Sequence, residues 1–129
     1  DTATKLSTTT GSAPSYACRA WVNFDGTRDT TGAVSTANTN RLIRSSGNVT
    51  SVLRNGLGIY TITFTIAMTD VNYASTFGSI RTNNTGNISG AVTENNLIAR
   101  TSSSIPIVVS DSSFGSVDAT YVSVAIFGN

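Results

Sequence analysis

Few side chains in this sequence can perform acid–base or nucleophilic chemistry, because its 129 residues include seven acidic residues and no histidine. Without histidine, a Ser-His-Asp triad, a Cys-His pair and a histidine-bound zinc ion are all excluded. Asp111 and Asp118 have the carboxylates that a glycosidase uses, but isolated aspartates in loops usually form turns. Asp25 and Asp29 lack the ligand spacing of a calcium-binding loop, and turn formation explains them as well. The sequence therefore predicts a protein that is not an enzyme and that holds neither a cofactor nor a metal ion.

Amide and guanidinium side chains are concentrated in and beside a long polar segment, 82–95. These groups hydrogen-bond sugar hydroxyls and phosphates, but they are also common as solvated loop residues, and both interpretations stay open. Tyr73 offers a ring face for a sugar, although a tyrosine in a strand more often belongs to the core. The candidate ligand-binding residues are Arg81, Asn83, Asn84, Asn87 and Asn95.

Charge and hydropathy exclude several classes of partner. The formal net charge is +1 and only 12% of residues are charged, so there is no basic field for nucleic acid or for anionic lipid. No run of about 18 apolar residues exists, and we therefore expect no membrane insertion. The single cysteine, Cys18, leaves no internal disulfide, and its position in an apolar strand predicts a small buried side chain.

The elements that position these residues are β-strands. In the segment 59–68, apolar side chains alternate with polar ones, which predicts a strand with one buried face. Asn55-Gly56 ahead of it is a strong hairpin signal. Pro106 lacks an N–H, which predicts that its strand lies at a sheet edge or begins pairing after the proline. The other predicted strands are 16–24, 42–44, 49–54, 73–81, 96–100, 105–110 and 119–127.

About eight short strands without a helical pattern predict an all-β fold, an antiparallel β-sandwich or jelly roll. We divide the chain into a linker or stalk connection, 1–14, and a head domain, 15–129. If the strands alternate in direction, the loops 25–40, 54–58, 82–95 and 111–118 share one end, and the linker enters at the other. The second faces of the first and last strands carry Trp21, Tyr121 and Phe127, which are covered either within the sandwich or by another subunit.

Several segments resemble structural proteins of tailed bacteriophages, especially marine and cyanobacterial phages. They are GSAPSYACRAWVNFDGT (11–27), IRSSGNVTSV (43–52), GIYTITF (58–64), MTDVNY (68–73) and VSVAIFGN (122–129). The chain departs from the family at Leu53-Arg54 and Leu57, where the family often has a more polar, acidic hairpin, and in the loops 28–40 and 83–96. The family offers no motif of functional residues to transfer.

The resemblance implies the C-terminal head domain of a virion tail fibre, commonly homotrimeric and commonly in contact with the host surface. The expected partners are other virion proteins on the N-terminal side and a host polysaccharide or outer-membrane component. A capsid decoration or tail-hub protein without receptor binding is the main alternative. A depolymerase fragment and a non-viral lectin domain are further alternatives.

Overall fold

The computed structural model of the protein describes residues 17–80 and 91–128. These residues form eight β-strands and no helix, which confirms the all-β prediction. The described residues consequently include no helix that is long and apolar enough to cross a membrane. The strands are β1 (Cys18–Asp29), β2 (Arg41–Gly47), β3 (Val49–Gly56), β4 (Ile59–Phe64), β5 (Ala74–Ile80), β6 (Ala91–Glu94), β7 (Ser104–Ser110) and β8 (Tyr121–Phe127).

The strands form two four-stranded antiparallel sheets that pack as a β-sandwich. The first sheet has the order β2-β1-β8-β5, and the second has the order β3-β4-β7-β6. Alternating apolar side chains from both sheets fill the space between them, as the period of two requires. At the centre, the rings of Phe24 and Tyr60 meet edge to face with centroids 5.1 Å apart. The core also contains Val22, Val52, Ile62, Phe64, Ile105, Ile107, Val109, Val122, Val124 and Ile126.

Strand direction alternates, so the connections gather at two ends. The loops 30–40, 57–58 and 111–120 form what we call the loop end. Main-chain hydrogen bonds tie these loops to neighbouring strands, such as Arg54 N of β3 to Thr39 O (3.1 Å) and Val109 N of β7 to Gly58 O (2.7 Å). Asn48 and the loops 65–73 and 95–103 lie at the opposite end, where β1 begins. The predicted clustering of loops is therefore confirmed for these described loops, while residues 1–16 and 81–90 lie outside the described part of the chain.

Several strand ends differ from the prediction, and those of β1 and β4 have a clear structural cause. β1 does not end near Asp25-Gly26 but continues to Asp29, and the absence of a side chain at Gly26 lets its N–H reach Ala119 O at 2.9 Å. β4 ends at Phe64, because the side-chain amide of Asn48 takes over the main-chain groups of Ile66, at 2.7 and 3.0 Å. Ile66 is consequently exposed, although the alternating pattern predicted it in the core.

The sixth strand was predicted wrongly, and of the two alternatives for the seventh the sheet edge is wrong, whereas its pairing with β6 does begin after Pro106. β6 covers 91–94 instead of 96–100, and 95–103 forms a loop. β7 lies between β4 and β6, so Pro106 is inside the sheet and not at its edge. The nitrogen of Pro106 cannot donate a hydrogen bond, but none is needed there, because the pairing with β6 ends at Glu94, opposite Ile107. Past that pair, the carbonyl oxygen of Pro106 accepts a hydrogen bond from Asn95 N at 2.9 Å.

A bulge at the start of β1 reverses the predicted orientation of two side chains. Relative to β8, the register shifts between Cys18 and Ala20. Cys18 is exposed and Arg19 is buried, so the prediction of a buried cysteine is wrong. An inserted residue interrupts the strict alternation of side chains, which a sequence pattern cannot anticipate.

Candidate functional site

The loop end is organised by a buried ion pair between Arg54 on β3 and Asp118 in the loop before β8. Nη2 of Arg54 lies 2.9 Å from Oδ2 of Asp118, and Nε lies within 3.2 Å of both carboxylate oxygens. Asp118 also accepts hydrogen bonds from Gly58 N at 2.9 Å and from the Tyr60 hydroxyl at 2.5 Å. One carboxylate therefore joins β3, the tip of the β3–β4 hairpin and the loop 111–120.

Arg54 extends the same connection to the third loop. Its Nη1 donates to the carbonyl oxygen of Thr36 at 2.7 Å and to Oδ1 of Asn38 at 2.6 Å. Arg41, which is also buried, donates from Nε and both terminal nitrogens to the carbonyl oxygens of Thr39, Ser35 and Ala37 at 2.8–3.1 Å. Loop 30–40 is thus fixed by two guanidinium groups, although it contains no regular secondary structure.

The ionisation of this cluster follows from its burial and its hydrogen bonds. Burial alone would raise the pKa of Asp118, but hydrogen bonds from Arg54, Tyr60 and Gly58 N outweigh this effect and lower it. The pKa of Tyr60 is raised, mainly by burial and also by its bond to the Asp118 carboxylate. The carboxyl group of Asp118 is therefore ionised at neutral pH, and the hydroxyl of Tyr60 remains a hydrogen-bond donor. This arrangement is suited to holding the loops in place.

The three fixed loops expose apolar side chains at their tips. Phe114 is 91% exposed and has a φ of 64°, a left-handed conformation that is unfavourable for a phenylalanine. Asp111 supports that turn by accepting hydrogen bonds from Ser113 N and Gly115 N at 2.9 and 3.1 Å. Leu57 and Val34 are also largely exposed, in the neighbouring loops. A single exposed apolar residue is ordinary, whereas three on ordered loops at one end suggest a contact surface.

A second candidate surface is the outer face of the first sheet, formed by residues of β1, β8 and β5 that point away from the core. Trp21 is 43% exposed there and lies against Gly47, where any side chain would collide with the indole. Beside Trp21, an open groove of about 510 Å³ crosses the three strands, floored by Asn23, Gly78 and Ser123. Nδ2 of Asn23 donates to Oγ of Ser123 at 3.0 Å.

The groove is bordered towards the loop end by an ion pair and an aromatic ring. Nη2 of Arg44 lies 2.7 Å from Oδ2 of the buried Asp25. The same guanidinium lies over the ring of Tyr121, with Cζ 3.9 Å from the centroid. One face of Tyr121 is therefore already covered, whereas Trp21 keeps a free surface towards the groove.

The residues predicted from the sequence as ligand-binding or interface residues are distributed over different places. Asn95 is buried at the opposite end, where its Oδ1 accepts a hydrogen bond from Leu97 N at 2.9 Å. Trp21 and Tyr121 are half-exposed on the outer face and Phe127 is partly buried, so the described residues do not enclose them. Their role as a subunit interface stays a prediction. Arg81, Asn83, Asn84 and Asn87 lie outside the described residues, and their binding role also stays a prediction.

Tyr73 belongs to the core, as the more common interpretation of a strand tyrosine predicted. Its hydroxyl donates to the carbonyl oxygens of Thr101 and Ser104 at 2.9 and 3.1 Å. Its ring packs edge to face against Phe64. Arg100, which pairs with Glu94, lies 4.6 Å from its centroid. No face of this ring is available to a sugar.

The aspartates considered for catalysis or calcium binding have structural partners. Oδ1 of Asp29 accepts hydrogen bonds from Thr31 N and Thr31 Oγ1, and the latter bond lowers the pKa of Asp29 most. Asp111 forms the turn before Phe114, and Asp118 binds Arg54. Within 17–80 and 91–128, no three His, Cys, Asp or Glu side chains are close enough to hold a metal ion.

Sequence reasoning missed Arg54, Arg41 and Asp118 as the residues that organise the loops. Arg54 and Asp118 are 64 positions apart, and nothing in the sequence links them. The outer face did leave a signal, because Trp21 and Asn23 alternate with the apolar residues of β1. In comparisons with protein-family models, curated proteins and solved structures, nothing matches this chain.

Proposed function

We propose that this domain is the head of a bacteriophage tail fibre and that it attaches the virion to the host surface through its loop end. The observation that carries the proposal is the buried Arg54–Asp118 pair, which holds three separate loops in one arrangement. The phage resemblance of the sequence supports the virion assignment. The partners are then other virion proteins and a polysaccharide or outer-membrane component of the host.

Fixed loops reduce the entropy that binding would otherwise cost. Ordering a mobile side chain or loop at an interface costs about 0.5–1.5 kcal/mol per side chain, and a loop that is already ordered avoids this loss. Binding residues commonly lie on loops that a rigid scaffold positions. The exposed Phe114, Leu57 and Val34 give this end apolar anchors, and their polar neighbours supply hydrogen bonds.

The direction of the chain agrees with such a role. β1 begins at Cys18 at the opposite end, so a stalk on the N-terminal side would leave the loop end pointing away from the particle. We propose a homotrimer, in which three weak contacts act together and raise the avidity without any new contact. Light scattering of the purified chain measures the number of copies directly.

Cell binding tests the adhesion proposal. The chain, biotinylated and displayed on fluorescent streptavidin to supply several copies, is incubated with a panel of marine bacterial and cyanobacterial strains and measured by flow cytometry. We expect saturable binding to a subset of strains, and loss of that binding in the Phe114→Ser variant. Leu97→Ser is the matched control, because Leu97 is equally exposed but lies at the opposite end.

Two results would contradict the proposal. Equal loss of binding in Phe114→Ser and Leu97→Ser would mean that the loop end is not the contact surface. Binding to no strain, together with immunogold labelling of the capsid or the tail hub in virions, would favour the structural alternative without receptor binding.

A further inference from the structure

The groove on the outer face of the first sheet has the construction of a ligand site, independent of the loop end. Its floor consists of two rows of directly paired residues across β1, β8 and β5. One row is Trp21–Ala125–Thr76, and the next is Asn23–Ser123–Gly78. Adjacent strands are about 4.8 Å apart, so each row spans roughly 10 Å.

Small residues keep the groove open between taller neighbours. A Cβ atom added at Gly78 would meet nothing within 4 Å, so there is open space directly above this position. Gly47 has a different role, because a side chain there would push the Trp21 indole out of its place. Trp21 therefore stands as one wall of the groove, in a position that its own strand neighbours fix.

The chemistry of the lining narrows the class of ligand. Among the described residues, the groove is lined by aromatic, aliphatic, amide and hydroxyl groups, and by no charged side chain. The nearest charges, Arg44 and Asp25, are paired with each other at 2.7 Å. An anionic or cationic ligand would thus be desolvated without a countercharge, which is unfavourable.

Polar groups in the groove retain hydrogen-bonding capacity. Oγ of Ser123 accepts the bond from Asn23, so its own proton is free to donate to a ligand. The second amide proton of Asn23 and the hydroxyl of Thr76 add donors, and the carbonyl oxygen of Asn23 is only weakly engaged by Arg44 at 3.4 Å. Donors and acceptors beside an apolar ring match a molecule that has C–H faces and many hydroxyls.

We propose that this groove binds a neutral oligosaccharide, with Trp21 as the stacking surface and Asn23 and Ser123 as hydrogen-bonding partners of its hydroxyls. The volume of about 510 Å³ is in the usual range for small-ligand sites. This assignment gives Trp21 a ligand role in place of the subunit contact that the sequence predicted. It does not depend on the virion assignment, and a non-viral lectin would use the groove in the same way.

Trp21 is the only tryptophan of the chain, so its fluorescence reports on the groove without labelling. The probes are hexasaccharides of α-1,4-glucan, β-1,4-glucan and α-mannan, with an alginate hexasaccharide as the charged comparison. We expect a saturable change in Trp21 emission with at least one neutral probe at millimolar concentration, and none with alginate.

Gly78→Leu is the decisive variant, because it places a large side chain in the groove at a position where its Cβ has open space, and it leaves Trp21 unchanged in the sequence. We expect it to weaken binding at least about tenfold, the factor that corresponds to losing about 1.4 kcal/mol. Thr93→Leu is the matched control, since it adds the same side chain at an exposed position of β6 in the other sheet. Circular dichroism confirms that both variants fold.

Three results would overturn the proposal. They are no response to any neutral probe, an equal response to alginate, and unchanged affinity in Gly78→Leu. Light scattering tests the alternative that a second copy of the chain covers the groove. An oligomer that dissociates in Gly78→Leu and is unchanged by the saccharides would make this face a subunit interface. None of these results bears on cell binding by the loop end, so the two proposals fail separately.

Discussion

Two buried arginines of this protein are expected to respond in opposite ways to the same substitution. Arg54 is paired with Asp118 and donates to the loop 30–40, whereas Nε and Nη1 of Arg19 have no hydrogen-bond partner within the described residues. Both side chains are 5% exposed. We therefore compare Arg54→Met with Arg19→Met, which remove the same charge from equally buried positions.

The magnitude follows from what each substitution leaves behind. Without Arg54, the buried carboxylate of Asp118 keeps its bonds from Gly58 N and Tyr60 but loses its countercharge. Removing one partner of a buried ion pair typically costs about 3–5 kcal/mol. At Arg19 the substitution removes unsatisfied donors, each of which costs about 1–3 kcal/mol when buried. We expect Arg54→Met to lower the free energy of unfolding by about 4 kcal/mol and Arg19→Met to raise it by about 1 kcal/mol.

Urea unfolding at pH 7, followed by circular dichroism, measures both changes. With a slope of about 2 kcal/mol per molar urea, Arg54→Met should lower the midpoint by about 2 M. Arg19→Met should raise the midpoint slightly at an unchanged slope. If both substitutions lower the midpoint by the same amount, the difference between a paired and an unpaired buried charge is not what stabilises the loop end.

Three further predictions concern the same end of the fold. Hydrogen bonds hold the pKa of Asp118 in the folded protein below its usual value of 3.8. The ionised carboxylate therefore stabilises the fold above pH 3.8, and this stabilisation is lost as the pH falls through the lower pKa of the folded state. Asp118→Asn should remove this loss of stability from acid unfolding measured by circular dichroism. Gly58→Ala should lower the free energy of unfolding, measured in urea, by about 2–4 kcal/mol, because φ is 67° and the new methyl group would lie 2.5 Å from a carbonyl oxygen. Gly32→Ala is the control, since φ is 85° but the space around it is open, and it should lower the free energy of unfolding by only about 1 kcal/mol. Arg41→Gln should speed limited proteolysis within 30–40 and also lower the urea midpoint, because the buried guanidinium donates to three loop carbonyl oxygens; an unchanged cleavage rate would contradict its role in fixing the loop.

The strands were predictable where burial alone determines the order of side chains. Tyr60, Ile62 and Phe64 are buried as their alternation predicted, because a strand covered on one face leaves this period in the sequence. The pattern failed at Ile66, where the amide of Asn48 replaces the ladder. It failed again at Arg19, where a bulge adds one residue. Both exceptions depend on partners that are distant in sequence, and periodicity contains no information about them.

The two candidate surfaces differ in how far the sequence revealed them. The gathering of the loops at one end could be predicted by counting strands. The sixth strand was predicted at the wrong residues, so Asn95 lies at the other end from the one predicted, but the directions of the later strands are unaffected. The groove followed in part from Trp21 on the polar face of β1. Its open floor did not, because only the register of β5 against β8 places Gly78 beside Ser123.

The distribution of charge explains why the two surfaces can serve different contacts. At the loop end, the charges of Arg54 and Asp118 are buried and neutralise each other, so they hold the loops without attracting an ionic partner. Between the groove and that end, the partly exposed Arg44 neutralises the buried Asp25. The described loops at that end expose Phe114, Leu57 and Val34, and the described lining of the groove is aromatic, aliphatic or neutral polar. Contacts of this kind change little with salt concentration, in contrast to contacts that depend on exposed ion pairs. For a domain with 12% charged residues, recognition by shape and hydrogen bonding is the physically consistent mode.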